Sequence, residues 1–146
     1  MKIVRFCWIL VAGLWGCLSG PDCFDTSTSK VTMGFYNTSG TLVTVAVDSI
    51  AISGLNAYLI PETGLQTFQL PLNPQATEVL ITFYMGTQMH TLALTYQVET
   101  QVVSKDCGAL AYLNDLQLTT TTFAQVTISN PRLTTNGGIN VKIRME

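Results

Sequence analysis

Beyond residue 30 the hydrophobic and polar positions alternate with a period of two in short bursts, which predicts half-buried β-strands. Val31, Met33 and Phe35 share one parity, and Lys30, Thr32 and Tyr36 the other. Asn37-Thr38-Ser39-Gly40 has turn composition. Val43, Val45 and Val47 resume the alternation, but Ile50 and Ile52 carry the opposite parity, so a bulge or a break between strands is expected at Asp48-Ser49. Phe68, Leu70 and Leu72 form a short run that ends in Pro71-Leu72-Asn73-Pro74, where prolines stop ladder pairing.

Val79, Ile81, Phe83 and Met85 come next, and Met85-Gly86-Thr87-Gln88 is short enough for a hairpin turn. The return strand is the most regular of the chain: His90, Leu92, Leu94, Tyr96 and Val98 point inward, Thr91, Ala93, Thr95 and Gln97 outward. Leu110, Tyr112, Leu116 and Leu118 make another strand, with Ala124, Val126 and Ile128 after it. The run Thr119-Thr120-Thr121-Thr122 between them reads as a loop or an exposed strand extension. Last come Ile139, Val141, Ile143 and Met145, behind the turn Asn136-Gly137-Gly138. Asn140, Lys142 and Arg144 fall on the polar side of this strand, as expected of an edge that discourages pairing with other chains. No stretch shows a helical period. The expected fold is all-β, an antiparallel β-sandwich of about seven to eight strands, with a small β-barrel as the alternative.

The first residues break this pattern. Met1-Lys2-Ile3-Val4-Arg5 is a basic start, and Phe6 to Trp15 is an uncharged apolar run of ten residues. As a helix it would reach about 15 Å, half of a hydrocarbon core, so it reads as an export signal and not a span. Leu14-Trp15-Gly16-Cys17 then has the form of a lipobox, which predicts cleavage before Cys17 and a diacylglyceryl group on its thiol. The alternative is an ordinary cleavage site with a cysteine beside it. Three cysteines would survive cleavage, Cys17, Cys23 and Cys107, and lipidation of Cys17 leaves one pair. A Cys23–Cys107 disulfide is the reading for an oxidising compartment, and two separate buried thiols are the alternative. The resulting division is a signal peptide at 1–16, a small and polar lipidated tether at 17–30, and the β-sandwich domain at 31–146.

Composition narrows the partners. With 47% hydrophobic and 11% charged residues, the chain can bury a core under a surface rich in Thr, Ser, Asn and Gln. The part from Cys17 onward holds five Lys and Arg against nine acids, with no basic run, which argues against nucleic acid.

Candidate chemistry is sparse. His90, the one histidine, lies on the inward parity of its strand and reads as a core or rim residue. A Cys107–His90 nucleophilic pair would need a reduced thiol, against the expectation of oxidation. Asp22, Asp25 and Asp106 neighbour the paired cysteines but lack the spacing of a calcium loop, so no metal and no cofactor is expected. Tyr36, Tyr58 and Tyr84 are the rings a sugar-binding groove could use. Asp48-Ser49-Ile50 resembles a three-residue O-glycosylation acceptor of the Bacteroidota, and a strand break accounts for Asp-Ser equally.

Several segments together carry a resemblance. Asp22-Cys23 stands soon after the lipobox, followed by Leu70-Pro71-Leu72-Asn73-Pro74, Thr91-Leu92-Ala93-Leu94-Thr95-Tyr96 and Val103-Ser104-Lys105-Asp106-Cys107-Gly108. In order and spacing they resemble an uncharacterised exported lipoprotein family of the Bacteroidota. The resemblance implies a β-rich domain of unknown function and brings no catalytic residue. The expectation is therefore a non-enzymatic envelope lipoprotein, held to the membrane by lipid at Cys17, with a neighbouring envelope protein as its partner. Leu18 after the lipid cysteine and the sparse Asp22 and Asp25 point to the periplasmic face of the outer membrane. A glycan- or peptide-binding module is the alternative.

Overall fold

The computed structural model describes residues 26–145 except 56, 60, 62, 105–107 and 134–137, and leaves out the side chains of residues 26, 27, 57, 58, 103 and 104. A short 3-10 turn, Thr26–Ser29, leads into nine strands: β1 (Lys30–Tyr36), β2 (Ser49–Ile52), β3 (Ala57–Leu59), β4 (Thr67–Pro71), β5 (Glu78–Met85), β6 (Gln88–Ser104), β7 (Gly108–Thr121), β8 (Gln125–Ile128) and β9 (Val141–Arg144). They form two sheets, ordered β4-β1-β9-β8 and β3-β2-β5-β6-β7. The fold is an open β-sandwich and not a barrel. All pairings are antiparallel except β1 with β9, which run parallel in the register Met33↔Val141 to Tyr36↔Arg144.

Alternation places the core where the sequence predicts it. Val31, Met33 and Phe35 from one sheet face Ile81, Phe83, Leu92 and Leu94 from the other, all fully buried. Phe83 makes edge-to-face contacts with Phe35, Phe68 and Phe123, at centroid separations of 6.2, 6.1 and 5.4 Å. Such pairs each add about 0.5–1.5 kcal/mol beyond the area they bury. The turn between β5 and β6 is a two-residue hairpin, with Met85 paired to Gln88 and Gly86 at φ 58°. Glycine at the first central position is what a II′ turn requires.

The parity switch at Asp48-Ser49 marks a change of sheet. Residues 42–47 do not form the strand expected of Val43, Val45 and Val47. They cross from β1 to β2, and among the described residues their ladder pairing is limited to the single bridges Tyr36↔Leu42 and Val45↔Leu65. Val47 still packs inward at 5% exposure, so the alternation was real while the ladder was not.

Three further expectations are corrected. β9 is no edge strand: β1 flanks it on one side and β8 on the other. Asn140 is not on a polar surface but 3% exposed, under the 130–132 segment whose carbonyls its amide binds. In β7 the inward residue ahead of Leu116 is Leu113 and not Tyr112, because a bulge at Asp115, φ 53°, resets the parity. β1 starts at Lys30, and ahead of it the buried Thr28 donates its hydroxyl to the Ala111 carbonyl at 2.8 Å.

The threonine run is strand for most of its length. β7 continues through Thr121, whose hydroxyl donates to the Thr91 carbonyl, while the Thr122 hydroxyl accepts from the Thr91 N–H. At the opposite end the β6–β7 ladder outruns the core. Both parities are exposed over Glu99–Val102, with Val102 81% exposed, so this hairpin projects from the sandwich.

Candidate functional site

Cys17, Cys23 and Cys107, together with Asp22, Asp25 and Asp106, lie outside the described residues. What is described is the contact between their flanks: Thr28, five residues after Cys23, is bonded to Ala111, four residues after Cys107. The N-terminal segment and the projecting hairpin therefore meet at one end of the sandwich.

His90 lies far from that end. It pairs with Phe83 near the start of β6, whereas Gly108, the chain neighbour of Cys107, pairs with Ser104 at the finish. Fourteen residues of strand, about 45 Å, separate His90 from Ser104, and Cys107 itself lies outside the described residues. The half-buried ring of His90 stacks on Phe123 at 4.6 Å and 13°. Its Nε2 lies 3.4 Å from Gln88 Oε1, and its buried Nδ1 has no partner among the described residues. A proton on that Nδ1 would be buried without an acceptor, so the geometry suits the Nε2–H tautomer. Among the described residues no three of His, Cys, Asp and Glu gather as metal ligands would.

Asp48 accepts the Gly86 N–H at 2.6 Å, and so ties the sheet crossing to the β5–β6 hairpin. That bond accounts for the aspartate of the Asp48-Ser49-Ile50 triplet.

The tyrosines do not line one groove. Tyr84 projects from the outer face of the five-stranded sheet, Tyr36 from that of the four-stranded sheet, and the Tyr58 side chain is outside the description. The two outer faces differ in character. On the five-stranded sheet, Leu80 and Tyr84 of β5 stand beside Met89 and Ala93 of β6, with Leu80, Tyr84 and Met89 exposed to 45, 37 and 59%. Glu78 is the charged residue of β5, at its first position. On the four-stranded sheet, Tyr36, Gly40, Gln125, Thr127, Ser129, Lys142 and Arg144 line a shallow groove of about 210 Å³. Sequence reading assigned Lys142 and Arg144 to edge protection and passed over Gln125, Thr127 and Ser129, because alternation gives a residue's side of a strand but not the strands beside it.

Elsewhere Tyr96, 3% exposed, donates its hydroxyl to the Asn73 carbonyl at 3.0 Å. Burial pushes its phenol pKa above the ordinary 10.0.

The fold is a small β-sandwich with two unlike outer faces. The chain belongs to the family described as Family of unknown function (DUF6452), which matches residues 39–145. The match runs on through β8 and β9, beyond the last segment that carried the resemblance, and does not reach Asp22-Cys23. The chain matches no curated protein and no solved structure.

Proposed function

We propose that this protein is an envelope lipoprotein of the Bacteroidota whose sandwich is a non-enzymatic interaction module, docking a neighbouring outer-membrane protein through the outer face of the five-stranded sheet. The carrying observation is the exposed cross-strand pair Tyr84 and Met89, with exposed Leu80 further along the same face beyond Thr82 and Thr91, on two neighbouring inner strands. Tyrosine and methionine are enriched at protein interfaces, and acids and lysines are depleted at their centres. The described charges of this sheet and of the crossing into it, Asp48, Glu78, Glu99 and Asp115, are all acidic, which suits a protein surface better than a phosphate backbone. The Cys17 lipid would hold the domain at the periplasmic face of the outer membrane and raise its effective concentration for partners there. A Cys23–Cys107 bridge would fasten the tether to the hairpin, in keeping with the Thr28–Ala111 contact.

The test is a photo-crosslinking residue placed at Met89 in intact native cells, with Val102 and Thr127 as control positions. One outer-membrane protein, captured from Met89, not from the controls, and lost in Leu80→Lys, is the expected result. Equal capture at all three positions, or none at Met89, would sink the docking reading. Cys17→Ala should release the protein from membranes and end lipid labelling, and persistent labelling would remove the anchor assignment.

A further inference from the structure

Charge is sorted between the two sheets. Lys30, Lys142 and Arg144 carry the outer parity of the four-stranded sheet, whereas the described acids Asp48, Glu78, Glu99 and Asp115 belong to the five-stranded sheet or the crossing into it. Arg132, the remaining described cation, lies beside Glu99, Tyr112 and Asn114 on the projecting hairpin. In a chain with nine acids and seven Lys and Arg, one face thus holds cations with no described acid among them.

β9 lies inside its sheet, so Lys142 and Arg144 guard no edge. They stand two residues apart on the same side, about 7 Å along the strand. Neutral neighbours position both. Arg144 donates to Gln125 Oε1 at 2.7 Å, one of the five N–H donors a guanidinium carries. The Lys142 ammonium sits 5.4 Å from the centroid of the Tyr36 ring, a contact that holds a cation without cancelling its charge. Gln125, Thr127 and Ser129 of β8 and its end complete the wall, with side chains that both donate and accept hydrogen bonds.

We propose that this groove binds an acidic saccharide, with the carboxylate of a uronate residue on Arg144 and Lys142 and its hydroxyls on Gln125, Thr127 and Ser129. The guanidinium fork matches a carboxylate, and the paired cations supply its counter-charge. The volume admits about one sugar residue, below the roughly 300–1,000 Å³ of pockets for larger ligands. An anionic membrane surface fits less well, since it is recognised by clusters of about four to eight Lys and Arg, and this face shows three. The inference is independent of the protein-docking face, which lies on the other sheet.

Calorimetry on the full chain in neutral detergent tests it, with digalacturonate as the probe, cellobiose as the uncharged control and mixed micelles of the same detergent with phosphatidylglycerol as the anionic-lipid control. Digalacturonate should bind and weaken as salt rises, and cellobiose should give no heat. Affinity should fall at least ten-fold in Arg144→Gln and in Lys142→Gln, and stay unchanged in Arg132→Gln. Thr127→Val, which removes a hydroxyl and no charge, should weaken binding several-fold and serves if a charge variant fails to fold. Absence of digalacturonate binding by the folded parent would overturn the proposal, as would undiminished binding in the folded Arg144 and Lys142 variants. Binding to the phosphatidylglycerol micelles through the same two cations, without digalacturonate binding, would replace it with a membrane contact.

Discussion

Thr32 and Asn140 hold each other by two reciprocal bonds: the Thr32 N–H donates to Asn140 Oδ1 at 2.9 Å, and the Asn140 N–H donates to the Thr32 carbonyl at 2.8 Å. The Asn140 amide nitrogen then donates to the carbonyls of Asn130 and Arg132, at 3.1 and 3.0 Å. One buried side chain therefore joins β1 to the segment between β8 and β9, just where the parallel pairing of β1 with β9 begins.

Replacing that amide should be among the most damaging single changes. Asn140→Leu would leave a backbone donor and two backbone acceptors without their partner, at about 1–3 kcal/mol for each group that stays dry. A loss of roughly 3 kcal/mol is expected, read as a lower urea midpoint at unchanged m-value. Asn140→Asp would turn a carboxylate toward two carbonyl oxygens, which raises the folded-state pKa of the new group. Its penalty should therefore shrink as pH falls toward about 4 and return as pH rises.

Asp115 makes the opposite kind of case, because its cost lies in the backbone. At φ 53° it occupies the left-handed region, and its carboxylate accepts from the Gln97 side chain at 3.2 Å. Asp115→Gly removes the side-chain penalty but loosens the unfolded chain, so stability should change by less than about 1 kcal/mol. Asp115→Val should cost about 2 kcal/mol, since a β-branched residue tolerates this conformation worst. Thermal melts of the two variants should differ accordingly. A valine variant as stable as the parent would mean the bulge can be abolished by realigning β6 and β7.

How legible the fold was can be judged at such places. Val31-Met33-Phe35 and Leu92-Leu94-Tyr96 are inward because alternation alone decides it, and both runs are buried as expected. Val43-Val45-Val47 alternates equally well yet crosses between sheets, since period two reports which side chains find the core and not whether a neighbouring strand is present. The Asp115 bulge and the central place of β9 depend on pairings between residues far apart in the chain. For the same reason the groove was invisible: Lys142 and Arg144 become a paired site only once β8 and Tyr36 are set beside them.

Gly64 marks a close approach in the crossing. Val45 and Leu65 exchange two backbone bonds of 2.8 Å, and a Cβ on Gly64 would stand 2.6 Å from Thr44 Cγ2 and 3.2 Å from the Val45 carbonyl oxygen. Gly64→Ala should destabilise by about 1–2 kcal/mol through this overpacking. Because Thr44 is exposed and supplies the nearer clash, Thr44→Ala should restore part of the loss. Additive costs in the double-mutant cycle would place the strain on the Val45 backbone instead.

Tyr96 links stability to alkaline pH. Its phenol is raised in the folded state by burial, so the unfolded chain releases the proton first, from about pH 10.0. Stability from this group is complete below that value and is lost as pH climbs from the unfolded toward the folded pKa. Tyr96→Phe should cost about 1 kcal/mol at neutral pH, by removing the bond to the Asn73 carbonyl, and should make stability fall less steeply above pH 10. Parallel curves for parent and variant between pH 9 and 11.5 would show that Tyr96 carries none of the alkaline loss.

The proposed bridge between Cys23 and Cys107 can be tried against the Thr28–Ala111 contact. A disulfide there would close a loop of about 84 residues, worth up to about 4.5 kcal/mol in the chain-entropy model. In Cys23→Ser the Cys107 thiol should become open to alkylation without reductant, whereas in the oxidised parent neither thiol should react. Thr28→Val removes the hydroxyl bond to Ala111 and leaves the cysteines in place. If the bridge fastens this end of the sandwich, Thr28→Val should cost about 1 kcal/mol in oxidised protein and more once the disulfide is reduced. Alkylation of Cys107 in the oxidised parent would remove the bridge, and the Thr28–Ala111 bond would then be the described tie between the N-terminal turn and β7.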